Sequence, residues 1–340
     1  MRTKPVTIIG GGLAGLGLAN GLRLANIPVT VHEAGSYPRH RVCGEFMAGL
    51  NYDLVAKLGL KPCFEGALLH RSVAWIRQGR PVRTFQLPEP ALGISRYALD
   101  ERMARLLVER GGQLKENSAQ PDAAKARAVN ACGRVPVRNG YCGFKGHWRG
   151  METSADLELH LGRNGYIGIS RVEDDFMNVC GLFRRVAPGD YPSPLKRFHA
   201  TLEQHGLGYL VDRLHARDLR PRSMRSVIGL SYPIINFNRT ASLGDQHGLI
   251  PPFTGNGMTI ALESAALLCP LVIDFSYGTK SWEELQARGS QLLRQHFRKR
   301  TLTAGLLHPF ILNSMLQHLV SVPSRLNLLP FRFLYKLTHS

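Results

Sequence analysis

The first 33 residues carry the pattern that most constrains the fold. A short apolar run, Val6–Ile9, leads into a glycine-rich turn at residues 10–15, then into helical spacing over Leu13–Leu24. A second apolar run follows at residues 28–33 and ends in an acid. Buried parallel strands have continuous apolar runs, so this order predicts a β-α-β unit of a parallel sheet.

The glycine turn has the spacing G-x-G-x-x-G. Gly10 makes the tight turn, Gly12 lets the backbone approach a pyrophosphate, and Gly15 lets the helix pack closely on the sheet. The pyrophosphate then meets the positive N-terminus of that helix. Glu33, 18 residues after the last glycine, can accept hydrogen bonds from a ribose diol. The turn therefore predicts a site for the adenosine half of a dinucleotide, either FAD or NAD.

A second motif lies far downstream. Leu243-Gly244-Asp245 precedes a loop at 250–258 with two prolines and two glycines, and a helix is predicted over 257–268. The two motifs in this order resemble the FAD-dependent family of p-hydroxybenzoate hydroxylase-type monooxygenases and geranylgeranyl reductases. The resemblance implies that Asp245 binds the ribityl chain and that the loop lies beside the isoalloxazine. A helix N-terminus there would stabilise the negative charge of reduced flavin.

Three further segments resemble the same family, in patches covering most of residues 1–275. The S-R-x-x-L-D helix start is matched at 95–100, and the V-x-A-T-G-R strand-turn at 129–134, with Cys132 in place of the usual Thr or Asp. Residues 38–45 resemble the P-x-x-x-x-C-G segment of geranylgeranyl reductases, which implies that Arg41 and Gly44 lie against the cofactor. The short stretch between the helix at 99–110 and the 129–134 turn departs from the family and predicts a trimmed first lobe.

The candidate catalytic groups are Cys43, Lys145 and His147. Arg39 and Arg41 beside Cys43 would favour its thiolate, and simple packing is the alternative. Lys145 and His147 lie where, in relatives, the substrate sheet meets the flavin lobe, and a structural role is the alternative. No metal-ligand spacing is present. The predicted cofactor-binding residues are Gly10, Gly12, Leu13, Ala14, Gly15, Glu33, Arg41, Gly44, Arg96, Gly244, Asp245, Pro252, Gly255, Asn256, Gly257 and Met258.

The predicted fold is α/β (α+β overall). A Rossmann-type FAD-binding lobe is interleaved with a mostly antiparallel substrate-binding sheet, and a helical C-terminal segment follows. Alternating residues over 156–183 predict a β-meander, with a helix at 195–214 and a strand at 241–243. The predicted boundaries are 1–60, 92–135 and 238–275 for the FAD-binding lobe, 61–91 and 136–237 for the substrate-binding lobe, and 276–340 for the C-terminal segment.

The chain carries 43 Lys and Arg against 25 Asp and Glu, a net charge of +18. This charge favours anionic partners without choosing among them. An RNA-binding flavoprotein is one alternative, but the basic residues are spread out and lack a motif with interleaved aromatics, so nucleic acid is disfavoured. The N-terminus lacks the hydrophobic segment of a signal peptide, which predicts a cytoplasmic protein.

Residues 301–324 contain no Lys, Arg, Asp or Glu. Leu307, Ile311, Met315 and Leu319 form one apolar stripe with polar residues opposite, which predicts an amphipathic helix. Two interpretations stay open. The stripe packs on the protein, or it contacts a membrane surface or a lipophilic substrate.

These features together predict an FAD-dependent oxidoreductase acting on a small hydrophobic organic substrate. NAD(P)H is the expected electron donor and would dock transiently, because a second glycine fingerprint for it is absent. The cysteine loop favours C=C reduction of the geranylgeranyl reductase type. The alternative is a monooxygenase that hydroxylates an aromatic or polyketide-like substrate.

Overall fold

The computed structural model describes residues 3–119, 127–134, 136–138, 140–232 and 241–339. These residues form two sheets, helices that connect their strands, and a helical C-terminal part. The strands are β1 (Val6–Ile9), β2 (Val29–His32), β3 (Phe46–Met47), β4 (Leu68–Arg77), β5 (Arg80–Gly93), β6 (Gln113–Lys115), β7 (Val129–Asn130), β8 (Tyr141–Arg149), β9 (Leu157–Gly162), β10 (Gly165–Arg171), β11 (Met177–Phe183), β12 (Asp218–Leu219) and β13 (Arg225–Leu230). The helices are α1 (Leu13–Leu24), α2 (Tyr52–Ala56), α3 (Arg96–Glu109), α4 (Pro194–Gln204), α5 (Tyr209–His215), α6 (Gly257–Ser276), α7 (Trp282–Leu312), α8 (Ser314–Arg325) and α9 (Phe331–His339).

The first sheet is parallel, with strand order β6-β2-β1-β7. The β-α-β unit lies where the glycine turn predicts it. Helix α1 packs closely on α6, because a Cβ added at Gly21 would come within 2.8 Å of Leu58 and 3.0 Å of Cys269. The predicted strand at 241–243 is reduced to a single bridge from Asn130 to Ser242, because the chain turns immediately into a 3-10 helix at Gly244.

The second sheet has nine strands in the order β12-β8-β11-β10-β9-β4-β5-β3, with β13 also pairing β8. The predicted meander is formed by β9, β10 and β11, in antiparallel register. The sequence does not predict the long hairpin β4–β5, because four prolines between residues 62 and 90 hide its strand pattern. Pro88 and Pro90 lie in a register irregularity between the Ser72–Gln86 and His70–Ala91 pairs, where a missing N–H costs no ladder hydrogen bond.

Three helices differ from their predictions. The helix predicted over 195–214 is two helices, α4 and α5, because Gly206 adopts a positive φ of 73° between them. Helix α6 continues eight residues past the predicted 268, to Ser276. This helix is apolar enough to cross a membrane by length and composition, yet 61% of its most apolar window is buried in the fold.

The single amphipathic helix predicted over 301–324 is also interrupted. Helix α7 ends at Leu312, and Asn313 adopts extended backbone angles. The Asn313 side chain accepts hydrogen bonds from the backbone N–H groups of Met315 and Leu316, which starts α8 in a new direction. Asparagine caps helices in this way because its side-chain oxygen replaces the missing intrahelical acceptor.

Candidate functional site

A cavity of about 680 Å³ lies between the two sheets. Its lining includes Gly10 after β1, Glu33 after β2 and Gly133 after β7, so it stands at the carboxyl ends of the parallel strands. Residues from the second sheet, among them Leu159 and Tyr166, form the opposite wall. Ligands of open α/β sheets bind at this end, because the strands' loops and the helix N-termini converge there.

Three glycines in the cavity wall leave space that the protein itself does not fill. A Cβ built on Gly44 or Gly257 meets no atom within 4 Å, and one built on Gly12 meets only the Arg96 guanidinium at 3.8 Å. Gly12 has an ordinary φ of −85°, so its backbone does not require glycine. Gly10 differs, because its φ is +106° and a Cβ would lie 2.2 Å from the Ala131 carbonyl oxygen. The open glycines therefore form a cradle that a Cβ would obstruct.

Two helix N-termini point into this cradle. Helix α1 begins at Leu13 and α6 at Gly257, and both residues line the cavity. Neither N-cap residue, Gly12 or Asn256, supplies a side-chain cap to its helix. The first-turn N–H groups of both helices are thus left for an external acceptor, and the helix dipoles favour negative charge beside them.

Arginines and carboxylates surround the α1 end of the cavity. Arg96 and Arg41 share the buried Asp100, with Nε–Oδ distances of 2.6 and 3.0 Å. Arg134 Nη1 lies 3.8 Å from Asp245 Oδ2 at the cavity wall. Burial raises the pKa of Asp245 despite Arg134, since desolvation penalises the charged carboxylate. This end of the cavity is therefore cationic, and its arginines are only partly neutralised.

Glu33 is nearly buried at the end of β2. Its carboxylate accepts hydrogen bonds from the backbone N–H groups of Gly11 at 2.8 Å and Gly35 at 3.0 Å, and pairs with Arg39 and Arg41. Burial alone would raise the pKa of Glu33, but Arg41 and these hydrogen bonds lower it. Glu33 is thus held ionised beside the glycine turn.

Cys43 lines the cavity, but its expected activation is wrong. Arg39 and Arg41 turn toward Glu33, and Arg41 also binds Asp100. Burial raises the pKa of the Cys43 thiol, so the group stays protonated. The Asn178 side-chain amide donates to the carbonyl oxygens of Cys43 and Gly44, at 3.1 and 2.7 Å, and this holds the cysteine loop against the sheet.

Lys145 and His147 are fully buried and lie outside the lining of the cavity. Both bind Glu45, with Lys145 Nζ 3.0 Å from Oε1 and His147 Nε2 2.6 Å from Oε2. The backbone N–H of Arg96 also donates to Glu45 Oε1, at 2.9 Å. The network therefore ties the cysteine loop to β8 and to the start of α3. This geometry gives Lys145 and His147 a positioning role.

Sequence reasoning missed several residues of the cavity wall. His40 stacks on Tyr97 and its Nδ1 lies 3.1 Å from Lys145 Nζ; burial and Lys145 lower the pKa of His40 to about 3. Tyr166 and Tyr232 also line the cavity, and burial raises the pKa of both hydroxyls, which therefore stay hydrogen-bond donors. Alternation in the meander predicted only that Tyr166 lies in a strand, and His40 and Tyr232 lie outside that pattern.

The predicted cofactor-binding residues line the cavity with two exceptions. Gly15 lies behind the turn, where a Cβ would come within 1.9 Å of the Gly10 carbonyl oxygen, so this glycine is needed for packing. Asn256 is fully buried and donates to the Thr338 carbonyl oxygen. The lining positions are Gly10, Gly12, Leu13, Ala14, Glu33, Arg41, Gly44, Arg96, Gly244, Asp245, Pro252, Gly255, Gly257 and Met258.

A second, apolar cavity of about 260 Å³ adjoins the first. It lies between the antiparallel sheet and the C-terminal helices α7, α8 and α9. Both cavities are lined by the same four residues at their junction, and apolar side chains such as Trp75 and Leu334 line the remainder of the second. The shared residues are Phe46, Leu157, Leu159 and Phe253.

No protein-family profile and no curated protein sequence matches this chain. Solved structures match its fold over nearly the whole length. HpxO of Klebsiella pneumoniae, solved with FAD and uric acid, superposes with a TM-score of 0.74 at 15% identity, covering 98% of this chain and 95% of that one. A flavoprotein/dehydrogenase of Cytophaga hutchinsonii gives 0.70 at 14% identity, with 99% and 96% covered. PqsL of Pseudomonas aeruginosa, a probable FAD-dependent monooxygenase, gives 0.67 at 15% identity, with 93% and 98% covered.

The chain therefore has the fold of FAD-binding monooxygenases, and the predicted α/β fold class is confirmed.

Proposed function

We propose that this protein is an FAD-dependent monooxygenase that hydroxylates a hydrophobic organic substrate, with NAD(P)H as the electron donor. The observation that carries the proposal is the cradle of open glycines between two helix N-termini that lack side-chain caps. A ligand of this cradle must place negative charge at the helix N-termini and fit closely against the backbone at the open glycines. A long molecule with an anionic centre and a flat ring system does both. FAD is such a molecule.

The residues present fit FAD in one orientation. The N-terminus of α1, with Gly12 open beside Arg96, would hold the pyrophosphate. Glu33 would accept hydrogen bonds from the adenosine ribose, and Asp245 from the ribityl chain. The N-terminus of α6 would lie along the isoalloxazine, where Gly257 and Gly44 let backbone approach a flat ring. FAD supplies, when bound, the exchange of electrons between a nicotinamide, oxygen and the substrate.

The protein's own groups serve that chemistry in three ways. The α6 N-terminus would stabilise negative charge on a flavin bound beside it. The protonated Tyr166 and Tyr232 hydroxyls can orient a polar substrate group by hydrogen bonding. The leucines at the junction of the two cavities exclude water from the reacting region.

Hydroxylation is preferred to C=C reduction for two reasons. The preference for reduction rested on the cysteine loop, and burial raises the pKa of the Cys43 thiol in that loop, so the loop supplies no activated thiol. The proteins with similar folds include a probable FAD-dependent monooxygenase, which supports hydroxylation over C=C reduction. The adjoining apolar cavity supports a substrate with an extended hydrocarbon part.

Oxygen stoichiometry tests the proposed reaction. In hydroxylation, a substrate C–H becomes C–OH, NAD(P)H is oxidised, and the second oxygen atom leaves as water. With alkylphenols as probes, we expect equimolar consumption of oxygen and NAD(P)H, with one labelled atom from isotopic oxygen in the product. Each added methylene that enters the apolar cavity contributes about 0.8 kcal/mol, so KM should fall about fourfold per methylene.

Two results would contradict this proposal. Saturation of an activated double bond by the reduced protein without oxygen would reinstate the reductase. Oxygen uptake that yields only hydrogen peroxide with every probe, and no labelled organic product, would exclude hydroxylation of this substrate class.

Asp245→Ala is expected to weaken flavin retention without loss of the fold. A hydrogen bond to a charged acceptor contributes about 1.5–3 kcal/mol, so affinity should fall roughly ten- to hundredfold. The variant should be yellow when concentrated and lose its flavin on gel filtration. Asp190→Ala, an exposed acid outside the cavity, is the matched control and should elute yellow. Equal retention by both variants would remove Asp245 from the site.

A further inference from the structure

Helix α8 is folded with its polar side inward. Gln317, Ser321 and Ser324 are buried, and the Gln317 side-chain amide donates to the carbonyl oxygens of Gly162 and Ile311 at 2.8 and 2.7 Å. Three apolar residues of the same helix are exposed, whereas Val320 lines the apolar cavity. Met315 is 79% exposed, Leu319 64% and Val322 49%. A water-soluble helix normally has the opposite arrangement, because its apolar side is the one that gains from burial.

The exposed apolar surface extends beyond α8 on both sides. Leu306 and Phe310 near the end of α7 are exposed, as are Leu326 and Leu328 in the turn before α9 and Phe333 within α9. We call these residues, with the three of α8, the C-terminal apolar face. The apolar cavity lies directly beneath the same helices. Large exposed apolar patches mark contact with a partner or with a membrane.

The charge of the C-terminal segment distinguishes among the partners that could cover the C-terminal apolar face. Residues 285–340 contain eight Lys and Arg and no Asp or Glu. Arg325 and Arg332 are exposed among the apolar residues of the face. A second copy would bring like charges together, which disfavours self-association through this face. An anionic lipid surface satisfies both the apolar residues and the cations.

We propose that the C-terminal apolar face docks on an anionic lipid bilayer. Helices α8 and α9 have 12 and nine residues, which is too short to cross the hydrocarbon core, so they lie in the interface. Docking itself is independent of the proposed oxidoreductase activity. Its consequence for that activity, which does rest on the proposed function, is that the apolar cavity would take the hydrocarbon part of a membrane-dissolved substrate.

Vesicle flotation of the full-length, flavin-loaded protein tests docking. The probes are vesicles of phosphatidylcholine alone and vesicles of phosphatidylcholine with phosphatidylglycerol. We expect flotation with the anionic vesicles, at least tenfold weaker binding to the neutral ones, and weaker binding as salt is raised, because salt screens exposed charges.

Two sets of substitutions separate the apolar from the charged contribution. Met315→Gln/Leu319→Gln/Leu328→Gln should lower partition onto anionic vesicles at least tenfold, since each side chain would otherwise enter the interface. Arg325→Gln/Arg332→Gln should lower it about tenfold and reduce the salt dependence. Leu24→Gln/Leu69→Gln/Val108→Gln is the matched control, with exposed fractions of 50%, 55% and 54% in the original residues, and should float like the wild type.

Each result of the flotation measurements either supports or overturns docking on an anionic bilayer. Loss of flotation in the face variants, with the flavin spectrum intact and the control unchanged, supports docking even if no hydroxylation is found. Wild-type protein that fails to float with anionic vesicles overturns the proposal. Flotation that the face variants retain also overturns it, as does a wild-type dimer that the apolar variant converts to a monomer.

Discussion

Gly12→Val should yield colourless protein that keeps its fold. The φ and ψ of Gly12, −85° and −175°, suit a β-branched residue, and a Cβ there meets only the Arg96 guanidinium at 3.8 Å. The added side chain would occupy the space in which, under the proposed function, backbone N–H groups would meet the FAD pyrophosphate. Displacing two charge-assisted hydrogen bonds costs roughly 3–6 kcal/mol, so FAD affinity should fall more than a hundredfold. Flavin absorbance per protein and FAD titration of the apoprotein measure this loss.

A second glycine in the same turn provides the contrast. Gly15→Val should unfold or fail to accumulate, because its Cβ would lie 1.9 Å from the Gly10 carbonyl oxygen. Circular dichroism should therefore show native structure for Gly12→Val and not for Gly15→Val. If Gly12→Val stays yellow with unchanged FAD affinity, the glycine turn is not the pyrophosphate site.

Glu45→Gln is expected to cause a large but measurable loss of stability. Glu45, Lys145 and His147 are all fully buried, and the Glu45 carboxylate is the counter-ion of Lys145 at 3.0 Å. Removing one partner of a buried ion pair leaves an uncompensated charge and costs about 3–5 kcal/mol. Urea unfolding should show this as a lower midpoint with an unchanged slope.

The double variant Glu45→Gln/Lys145→Met is the control for this interpretation. It removes both charges, so it should recover much of the stability lost in Glu45→Gln. Equal or greater destabilisation of the double variant would show that the loss comes from packing and not from the ion pair.

The same network predicts acid sensitivity. Burial would raise the pKa of Glu45, but Lys145 and His147 lower it from 4.5 to about 2. Its stabilising contribution is therefore complete above pH 4.5 and is lost as the pH falls toward 2. Burial lowers the pKa of His40 from 6.5 to about 3, which adds a loss of stability as the pH falls below 6.5. Glu45→Gln should lack the more acidic part of this profile.

The β-α-β unit and the meander could be predicted because each depends on local patterns. Strand β1, the glycine turn and α1 are contiguous, and the alternation over β9–β11 has the period of a strand. The hairpin β4–β5 could not be predicted, because its prolines are tolerated only through a register irregularity set by the pairing itself. The break at Asn313 has a local signal, a capping residue, that the longer apolar stripe concealed.

That most of the predicted cofactor-binding positions line one cavity was predictable for the same reason, since a glycine turn carries its requirement in its own spacing. The roles of Cys43, Lys145 and His147 were not. The positions of Lys145 and His147 depend on Glu45, which lies 102 residues from His147 in the sequence. The state of the Cys43 thiol depends on Arg39 and Arg41, which bind Glu33 and so do not stabilise a thiolate. Charge pairing between distant segments leaves no periodic trace in the sequence.

By itself, the sequence determined the β-α-β unit of the parallel sheet, the two helix N-termini that line the cavity, and the amphipathic character of the C-terminal segment. Only the tertiary structure decided which side of α8 is covered. Periodicity shows that Met315 and Leu319 share a face, but the direction of that face is set by where Asn313 redirects the chain and where Gln317 finds the Gly162 carbonyl oxygen. Local spacing specifies which residues share a face of a helix, whereas the elements that pack against the helix determine which face is buried.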